Sequence, residues 1–206
     1  MSATDDRTGW PALVRDRLIE GARAHERMAA ERAGVVAEVA ARIVASISAG
    51  GTVLICGNGG SAAESQHIAA EFTGRFLVNR RPLPALALTT DTSALTAIGN
   101  DYGFDLVFAR QVEALGRRGD VLIGISTSGA SANVVAAVEV ARARGIVTVA
   151  VTGGDGGALG RLADVHVNVP LASTPRVQEV QLSVLHVICE LVEQACIASE
   201  EKGGRG

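Results

Sequence analysis

The sequence predicts an α/β fold, a three-layer, doubly wound sheet of five parallel strands with an N-terminal helical extension. Five short runs rich in Val, Ile, Leu and Ala each end in a glycine- or serine-rich turn, and a stretch of helical composition follows each turn. Hydrophobic residues make up 48% of the chain but aromatic residues only 3%, so the core must be built from Ala, Val, Leu and Ile among 24 glycines. Such a composition is typical of buried parallel strands alternating with helices.

The helical extension is predicted from residues 11–49, where apolar residues recur at helical spacing among charged ones. Pro11 suits a first helical turn, and Gly34 predicts a break, so we expect one or two amphipathic helices there. We assign residues 1–50 to this extension and expect it to mediate oligomerisation. The first seven residues are polar and acidic, whereas a secretory signal begins with basic residues and continues with an apolar stretch. We therefore expect no secretory signal here.

The five predicted strands are apolar nearly throughout, as expected of strands covered on both faces. They are Thr52–Cys56, Ala85–Leu88, Val121–Ile125, Val147–Val151 and Val165–Val169. The final helix, about Arg176–Ser199, is apolar over most of its circumference, which predicts an oligomer interface. We therefore expect one domain over residues 51–199 and a frayed polar tail over residues 200–206.

Charge and cysteine content narrow the possible functions. The chain has 19 basic and 22 acidic residues and a net charge of −3, without the basic excess that nucleic-acid binding normally requires. Its three cysteines predict neither a disulfide framework nor a cysteine zinc site. Residues 177–198 carry too many polar groups for a membrane span. We therefore expect a cytoplasmic protein with no nucleic-acid or membrane partner.

Two loops rich in glycine and serine follow the first and third predicted strands. In loop one, residues 56–62, glycines allow backbone N–H groups to approach a ligand, and Ser61 can cap the next helix or bind a phosphate oxygen. Loop two, residues 126–131, offers four hydroxyls at one helix N-terminus, those of Ser126, Thr127, Ser128 and Ser131. Ordinary turn and cap chemistry explains either loop alone. Both together, at the edge where parallel sheets bind ligands, predict a phosphomonoester site.

A dinucleotide site is an alternative interpretation of loop one. Gly57, Gly59 and Ala62 match the relaxed dinucleotide fingerprint. The acidic residue that this site requires further along has only Asp91 as a late and poorly placed candidate. No Gly-Lys-Ser/Thr follows either loop, so neither is a P-loop.

Titratable side chains lie near both ends of the predicted domain. His67 and Glu71 are four residues apart and share a helix face that loop one brings within reach of its ligand. Gln178 and His186 lie eight residues apart on the final helix and can face one cleft obliquely. His67 and Glu71 could instead form an ordinary surface ion pair. His186 could instead be a hydrogen-bonded histidine of the core or of an interface.

These motifs, in this order, resemble those of the phosphoheptose isomerases, enzymes built on a flavodoxin-like sugar isomerase (SIS) domain. The resemblance runs from about residue 35 to residue 192 and rests on residues 57–61, 66–67, 71–75, 99–101, 124–129 and 176–179, with His186. It implies conversion of D-sedoheptulose 7-phosphate to D-glycero-D-manno-heptose 7-phosphate through an enediol. It also implies a cytoplasmic homotetramer with zinc in each subunit, and it makes residues 51–199 a SIS sugar-phosphate-binding domain.

The resemblance further implies roles for individual residues. Glu71 matches the general base and His186 its acid/base partner. The zinc ligands would be His67, Glu71, Gln178 and His186. The substrate-contacting positions would be Asn58, Gly59, Gly60, Ser61, Glu71, Asn100, Asp101, Ser126, Thr127, Ser128, Ser131 and Gln178. Pro175 departs from the pattern, because some members have an acidic residue before the arginine, and this bears on contacts to the sugar hydroxyls.

Three other functions remain open from the sequence. The first is a non-catalytic SIS protein that binds the replication initiator, and such proteins usually lack a histidine at the place of His186. A regulatory SIS module that senses a sugar phosphate would need the two loops but neither Glu71 nor His186. The third is an isomerase for another sugar phosphate.

Overall fold

The computed structural model describes residues 8–203, with side chains to residue 199. Its single sheet has five parallel strands in the order β2-β1-β3-β4-β5. The strands are β1 (Val53–Gly57), β2 (Ala85–Ala87), β3 (Val121–Ser126), β4 (Val147–Gly153) and β5 (Val165–Val169). The helices are α1 (Trp10–Ser48), α2 (Gly60–Thr73), α3 (Thr92–Tyr102), α4 (Ala109–Leu115), α5 (Ala132–Ala143), α6 (Gly157–Leu162) and α7 (Thr174–Gly203). The predicted doubly wound α/β class is confirmed.

The predicted strands are all present, with ends that differ by no more than two residues. The central strands β1 and β3 are buried along their whole length, as predicted. The same expectation is wrong for the two edge strands. In β2 only Ala87 is buried, and β5 alternates between buried valines and the half-buried His166 and Asn168. An edge strand has a neighbour on one side only, so the helices cover it less completely.

The core has two halves, one on each face of the sheet. On one face, α1, α2 and α7 bury residues such as Ile43, Ile68 and Leu185 against the strands. On the other face, α3 to α6 bury a second group that includes Val134 and Leu159. Because α2 and α7 share one layer, the titratable residues predicted on these two helices lie on the same side of the sheet.

The predicted break near Gly34 is wrong, since α1 is one continuous helix of 39 residues. Gly34 is exposed, and a Cβ placed there would meet no atom within 4 Å. A glycine inside a helix costs only about 1 kcal/mol relative to alanine. The turns on either side bury Met28, Val36 and Val39, and this burial outweighs that cost.

The final helix α7 is longer than predicted. It begins at Thr174 and ends at Gly203, so residues 200–203 of the predicted frayed tail are helical. Residues 1–7 and 204–206, which carry the rest of the predictions for the two termini, lie outside the described residues. By length and composition, residues 174–199 pass the test for a membrane span, with 39% of the window buried within the fold. Core helices of soluble proteins pass the same test, and α7 packs against α1 and the sheet.

Candidate active site

Loop one turns sharply from β1 into α2. Gly59 precedes the helix with a positive φ of 55°, a conformation that favours glycine. A Cβ on Gly57 would lie 2.8 Å from the backbone oxygen of Ser61, so only glycine fits there. Ser61 lies inside α2 and is 4% exposed, and no side chain caps this helix. Of the two roles expected for Ser61, capping of α2 is therefore wrong, and binding of a phosphate oxygen stays a prediction.

Gln178 lies directly against the first residue of α2. A Cβ built on Gly60 would collide with the side-chain amide of Gln178. Gly60 thus allows α7 to approach loop one at the carboxyl edge of the sheet. Two residues that the sequence predicts for one site are therefore in contact.

Loop two clusters three of its four hydroxyls at the start of α5. Ser126 Oγ lies 2.9 Å from Ser131 Oγ and 3.4 Å from Ser128 Oγ. The loop is braced by the end of β4, because the N–H of Gly153 donates to Thr127 O at 3.1 Å. Hydroxyls grouped at a helix N-terminus can donate hydrogen bonds to an anionic ligand.

An asparagine pair joins the two loops. Asn58 in loop one and Asn133 in the first turn of α5 exchange two side-chain hydrogen bonds, of 2.8 and 2.9 Å. Asn133 is 2% exposed. Asn133 was not predicted from the sequence, although it follows the hydroxyl run of loop two by only two residues. The pair fixes the distance between the two candidate anion sites.

His67, Glu71 and His186 converge beside loop one. His67 Nε2 lies 2.9 Å from His186 Nε2 and 3.3 Å from Glu71 Oε1. Their ligand atoms all lie within 4.8 Å of one another. The candidate residues of α2 and α7 therefore meet within a single chain. The Glu71 side chain is 22% exposed and so is accessible to a ligand.

His186 is the more enclosed of the two histidines. Its ring lies 5.4 Å from the ring of Phe76, measured between centroids, and 5.1 Å from that of His67. Burial lowers the pKa of His186 below its ordinary value, His67 lowers that pKa further, and Glu71 opposes them. The result favours a neutral imidazole near pH 7, which can either accept or donate a proton.

Asn100 and Asp101 lie near the end of α3, on the exposed surface. Asn100 Nδ2 donates to Asp101 Oδ1 at 2.8 Å. No hydrogen bond described between residues 8 and 199 joins either of them to loop one or loop two. The substrate contacts expected of Asn100 and Asp101 therefore stay predictions.

Comparisons with known proteins identify the family. A sequence profile described as the SIS domain matches residues 19–153. The phosphoheptose isomerase of Desulfovibrio desulfuricans is 56% identical over 174 residues, covering 84% of this chain and 83% of that protein. The one from a Roseiflexus species is 52% identical over 193 residues, covering 94% and 96% respectively. This chain belongs to the phosphoheptose isomerase family.

The fold of this phosphoheptose isomerase family member matches a solved relative. The structure of the Neisseria gonorrhoeae phosphoheptose isomerase is 46% identical, with a TM-score of 0.85, and the match covers 90% of this chain and 99% of that one. The expected isomerase class is confirmed, and the non-catalytic and regulatory alternatives are not supported. Asp91, the candidate acidic residue of a dinucleotide site, instead caps α3 by accepting from the N–H of Ala94 at 2.9 Å.

Three further residues of this phosphoheptose isomerase approach the site without having been predicted. Phe76 contacts the ring of His186, and Arg80 and Glu193 form a buried ion pair close to it. Glu193 follows His186 by seven residues, which places both on one face of α7. That spacing was the one available sequence signal. Phe76 and Arg80 lie in the segment after α2, where no periodicity indicates which way a side chain points.

Proposed function

We propose that this chain interconverts D-sedoheptulose 7-phosphate and D-glycero-D-manno-heptose 7-phosphate, with Glu71 and His186 as the acid/base pair. The convergence of Glu71, His67 and His186 beside loop one carries the proposal. Moving a proton between C1 and C2 of a sugar needs a base for the carbon-bound proton and an acid for the oxygens. A carboxylate and a neutral imidazole in one open cleft supply both.

In the proposed reaction, Glu71 removes the proton from the carbon next to the carbonyl group. His186 moves a proton between the two oxygens of the resulting cis-enediol, and Glu71 returns its proton to the neighbouring carbon. Each group recovers its starting protonation state after one turnover. The lowered pKa of His186 suits this relay, because a neutral ring both donates and accepts.

The phosphate of the substrate would bind at loop two. Ser126, Ser128 and Ser131 present clustered hydroxyls at the N-terminus of α5. Backbone N–H groups at a helix start add to the attraction for an anion. Binding energy from this remote group would hold the reacting carbons against Glu71. The Asn58–Asn133 pair would keep the two ends of the site at a constant separation.

The donor set at the candidate centre fits zinc. Two imidazole nitrogens and one carboxylate oxygen, from His67, His186 and Glu71, lie within 4.8 Å of one another, and these are ligands that Zn²⁺ prefers. We include Gln178 as the proposed fourth ligand from the family resemblance. When bound, zinc would supply Lewis acidity toward the carbonyl group of the sugar, and Glu71 would have to be loosely held by the metal to serve as the base.

The reaction is tested by incubating purified enzyme with sedoheptulose 7-phosphate and identifying the product by NMR. We expect Glu71→Gln and His186→Ala each to lower kcat by about 10²-fold or more, which is a typical acid/base contribution. Glu113→Gln, an exposed position on α4, is the matched control and should keep full activity. Near-normal turnover by folded Glu71→Gln would contradict the assignment of the base.

The zinc proposal is tested by metal analysis together with kinetics. We expect about one zinc per subunit, loss of turnover on chelation and recovery when zinc is restored. His67→Ala should weaken zinc binding, measured by competition with a chromogenic chelator, by about tenfold or more. Full turnover by metal-free enzyme would remove zinc from the mechanism.

We also propose a cytoplasmic homotetramer. The outer faces of α1 and α7 expose large apolar side chains, among them Leu13, Leu18 and Val187. Contiguous exposed apolar surface typically marks a protein interface. Cys56, Cys189 and Cys196 are buried and form no disulfide bond among the described residues, which is consistent with a reducing compartment.

A further inference from the structure

The segment between α2 and β2, residues 74–84, has neither helix nor strand. Its first part is held by a carboxylate from α7. Glu193 is 2% exposed and accepts hydrogen bonds from the N–H groups of Phe76 at 2.9 Å and Leu77 at 2.8 Å. The N–H of Val78 donates to the same carboxylate at 3.1 Å. Three backbone donors on one buried carboxylate determine the path of the chain at this point.

Arg80 occupies the other side of the same carboxylate. Its side chain is 2% exposed, and Nε lies 3.1 Å from Glu193 Oε1. Its guanidinium also donates to carbonyl oxygens at the end of α2, reaching Glu71 O at 2.7 Å and Phe72 O at 2.9 Å. A further bond goes to Gly74 O at 3.0 Å. Arg80 therefore satisfies carbonyls that have no partner within α2 and places a positive charge at the C-terminus of that helix.

The carboxylate of this pair is held in its charged form. Burial acts to raise the pKa of Glu193, but the three backbone N–H groups and Arg80 outweigh it, so that pKa lies below its ordinary value. A buried carboxylate that accepts three backbone hydrogen bonds and faces a guanidinium group has one well-defined geometry.

Arg80 contacts the proposed base directly, and Glu193 contacts the proposed acid/base partner through Phe76. Arg80 holds the backbone of Glu71 through its carbonyl oxygen. Glu193 holds the N–H of Phe76, and the ring of Phe76 packs on His186. Glu193 also lies two helical turns after His186 on the same face of α7. One ion pair thus connects the end of α2, the segment that follows it and α7.

We propose that Arg80 and Glu193 are positioning residues, which set the Glu71 carboxylate and the His186 imidazole at the separation that proton transfer requires. This inference rests on the proposed function. Neither side chain is exposed enough to reach a substrate, so each acts only through Glu71 or Phe76. Proton transfer at carbon is sensitive to small displacements of the base, so a loosened pair should slow the chemical step more than it weakens substrate binding.

A purely structural role makes a different prediction. If the pair served only to stabilise the fold, its removal would lower the melting temperature and leave kcat unchanged at temperatures well below melting. If it positions the acid and base, kcat falls in protein that is fully folded. The division of the effect between kcat and KM therefore separates the two roles.

The test uses the full chain with Glu193→Gln, Arg80→Lys and the double variant Arg80→Met with Glu193→Gln. The double variant leaves no unpaired buried charge, so it keeps the test decisive if a single variant fails to fold. We expect kcat for sedoheptulose 7-phosphate to fall at least tenfold with KM within threefold. Arg80→Lys should also lower kcat although it keeps the positive charge. An ammonium group cannot reproduce the forked hydrogen bonds of the guanidinium group to the carbonyl oxygens of Glu71 and Phe72.

Glu38→Gln and Arg42→Lys are the matched controls. These residues form an exposed ion pair on α1, and the same chemical changes there should leave kcat unchanged. Crystal structures of the folded variants give a readout that needs no activity, and we expect the Phe76 and His186 rings to separate. If wild-type enzyme does not turn over the sugar, the proposed function fails, while the structures still decide the positioning role. Folded variants with wild-type kcat, or with Glu71, Phe76 and His186 unmoved, would overturn the proposal.

Discussion

Glu64 is a buried carboxyl group on α2, one turn before His67. It is 9% exposed, and its Oε2 atom has no hydrogen-bond partner among the described residues. Burial raises the pKa of Glu64 to about 7. A carboxyl group whose pKa is raised on folding stabilises the protein most below its unfolded pKa, and that contribution is lost as the pH rises through 7.

Replacing Glu64 by Gln should therefore change the pH dependence of stability. We expect Glu64→Gln to stabilise the protein relative to wild type at pH 8, by on the order of 1–2 kcal/mol, because it removes a buried charge. At pH 5 the difference should be much smaller, since Glu64 is protonated in the folded protein there and the loss of stability from ionisation in the unfolded state is only beginning. The measurement is the free energy of unfolding in urea at both values of pH. Glu139→Gln, on the exposed surface of α5, should show no such difference. A constant gap between wild type and Glu64→Gln at both values of pH would contradict this reasoning.

Individual site residues were predictable to different degrees. The spacing of His67 and Glu71 placed them on one helix face, because helical periodicity is local. Their contact with His186 depends on how α2 and α7 pack, and only the family resemblance predicted it. Arg80 carried no such signal, and the spacing of Glu193 from His186 indicated only a shared helix face. A buried ion pair between a loop and a distant helix depends entirely on tertiary structure.

At the scale of elements, α1 contains a glycine that its structure does not need. Gly34 is helical and exposed, and a Cβ there would touch nothing. We expect Gly34→Ala to increase the free energy of unfolding by up to about 1 kcal/mol, because alanine loses less backbone entropy on folding. Urea denaturation measures the change.

A glycine with no free space provides the contrast. Gly60→Ala also adds a methyl group to a helix, but it would displace Gln178 and should destabilise the protein. If Gly34→Ala lowered stability instead, this face of α1 would have to contact a second copy of the chain.

The strands were the most predictable elements, and the helix ends the least. Continuous apolar runs located β1 and β3 to within one residue, because burial on both faces leaves few polar alternatives. The prediction of a break at Gly34 was wrong, since the cost of about 1 kcal/mol for a glycine in a helix cannot outweigh the burial of a long apolar face. The predicted end of α7 was wrong for a related reason. A polar, glycine-rich composition alone does not end a helix that is already formed.

At the scale of the whole molecule, one face of the structure exposes an apolar groove. A groove of about 410 Å³ lies between α1 and α7, lined by residues that include Met28, Val36, Val187 and Leu191. Val187 and Leu191 are 46% and 36% exposed. The opposite layer, α3 to α6, has its own buried core on the sheet. The unpaired apolar surface of α1 and α7 is the part that further copies of the chain would cover.

Charged residues in this groove should separate the copies. We expect wild-type protein to have about four times the 21.1 kDa chain mass by light scattering, and the Val187→Glu, Leu191→Glu double variant to form smaller species, because burying two carboxylates at an interface is costly. Leu115→Glu adds one such charge to α4 in the opposite layer, where the side chain is 49% exposed, and should leave the mass unchanged. A monomeric wild type would contradict the tetramer, and a double variant that keeps the wild-type mass would place the interface elsewhere. Activity adds a second readout, since His186 precedes Val187 on α7 and a site that needs its neighbours would lose turnover together with the assembly.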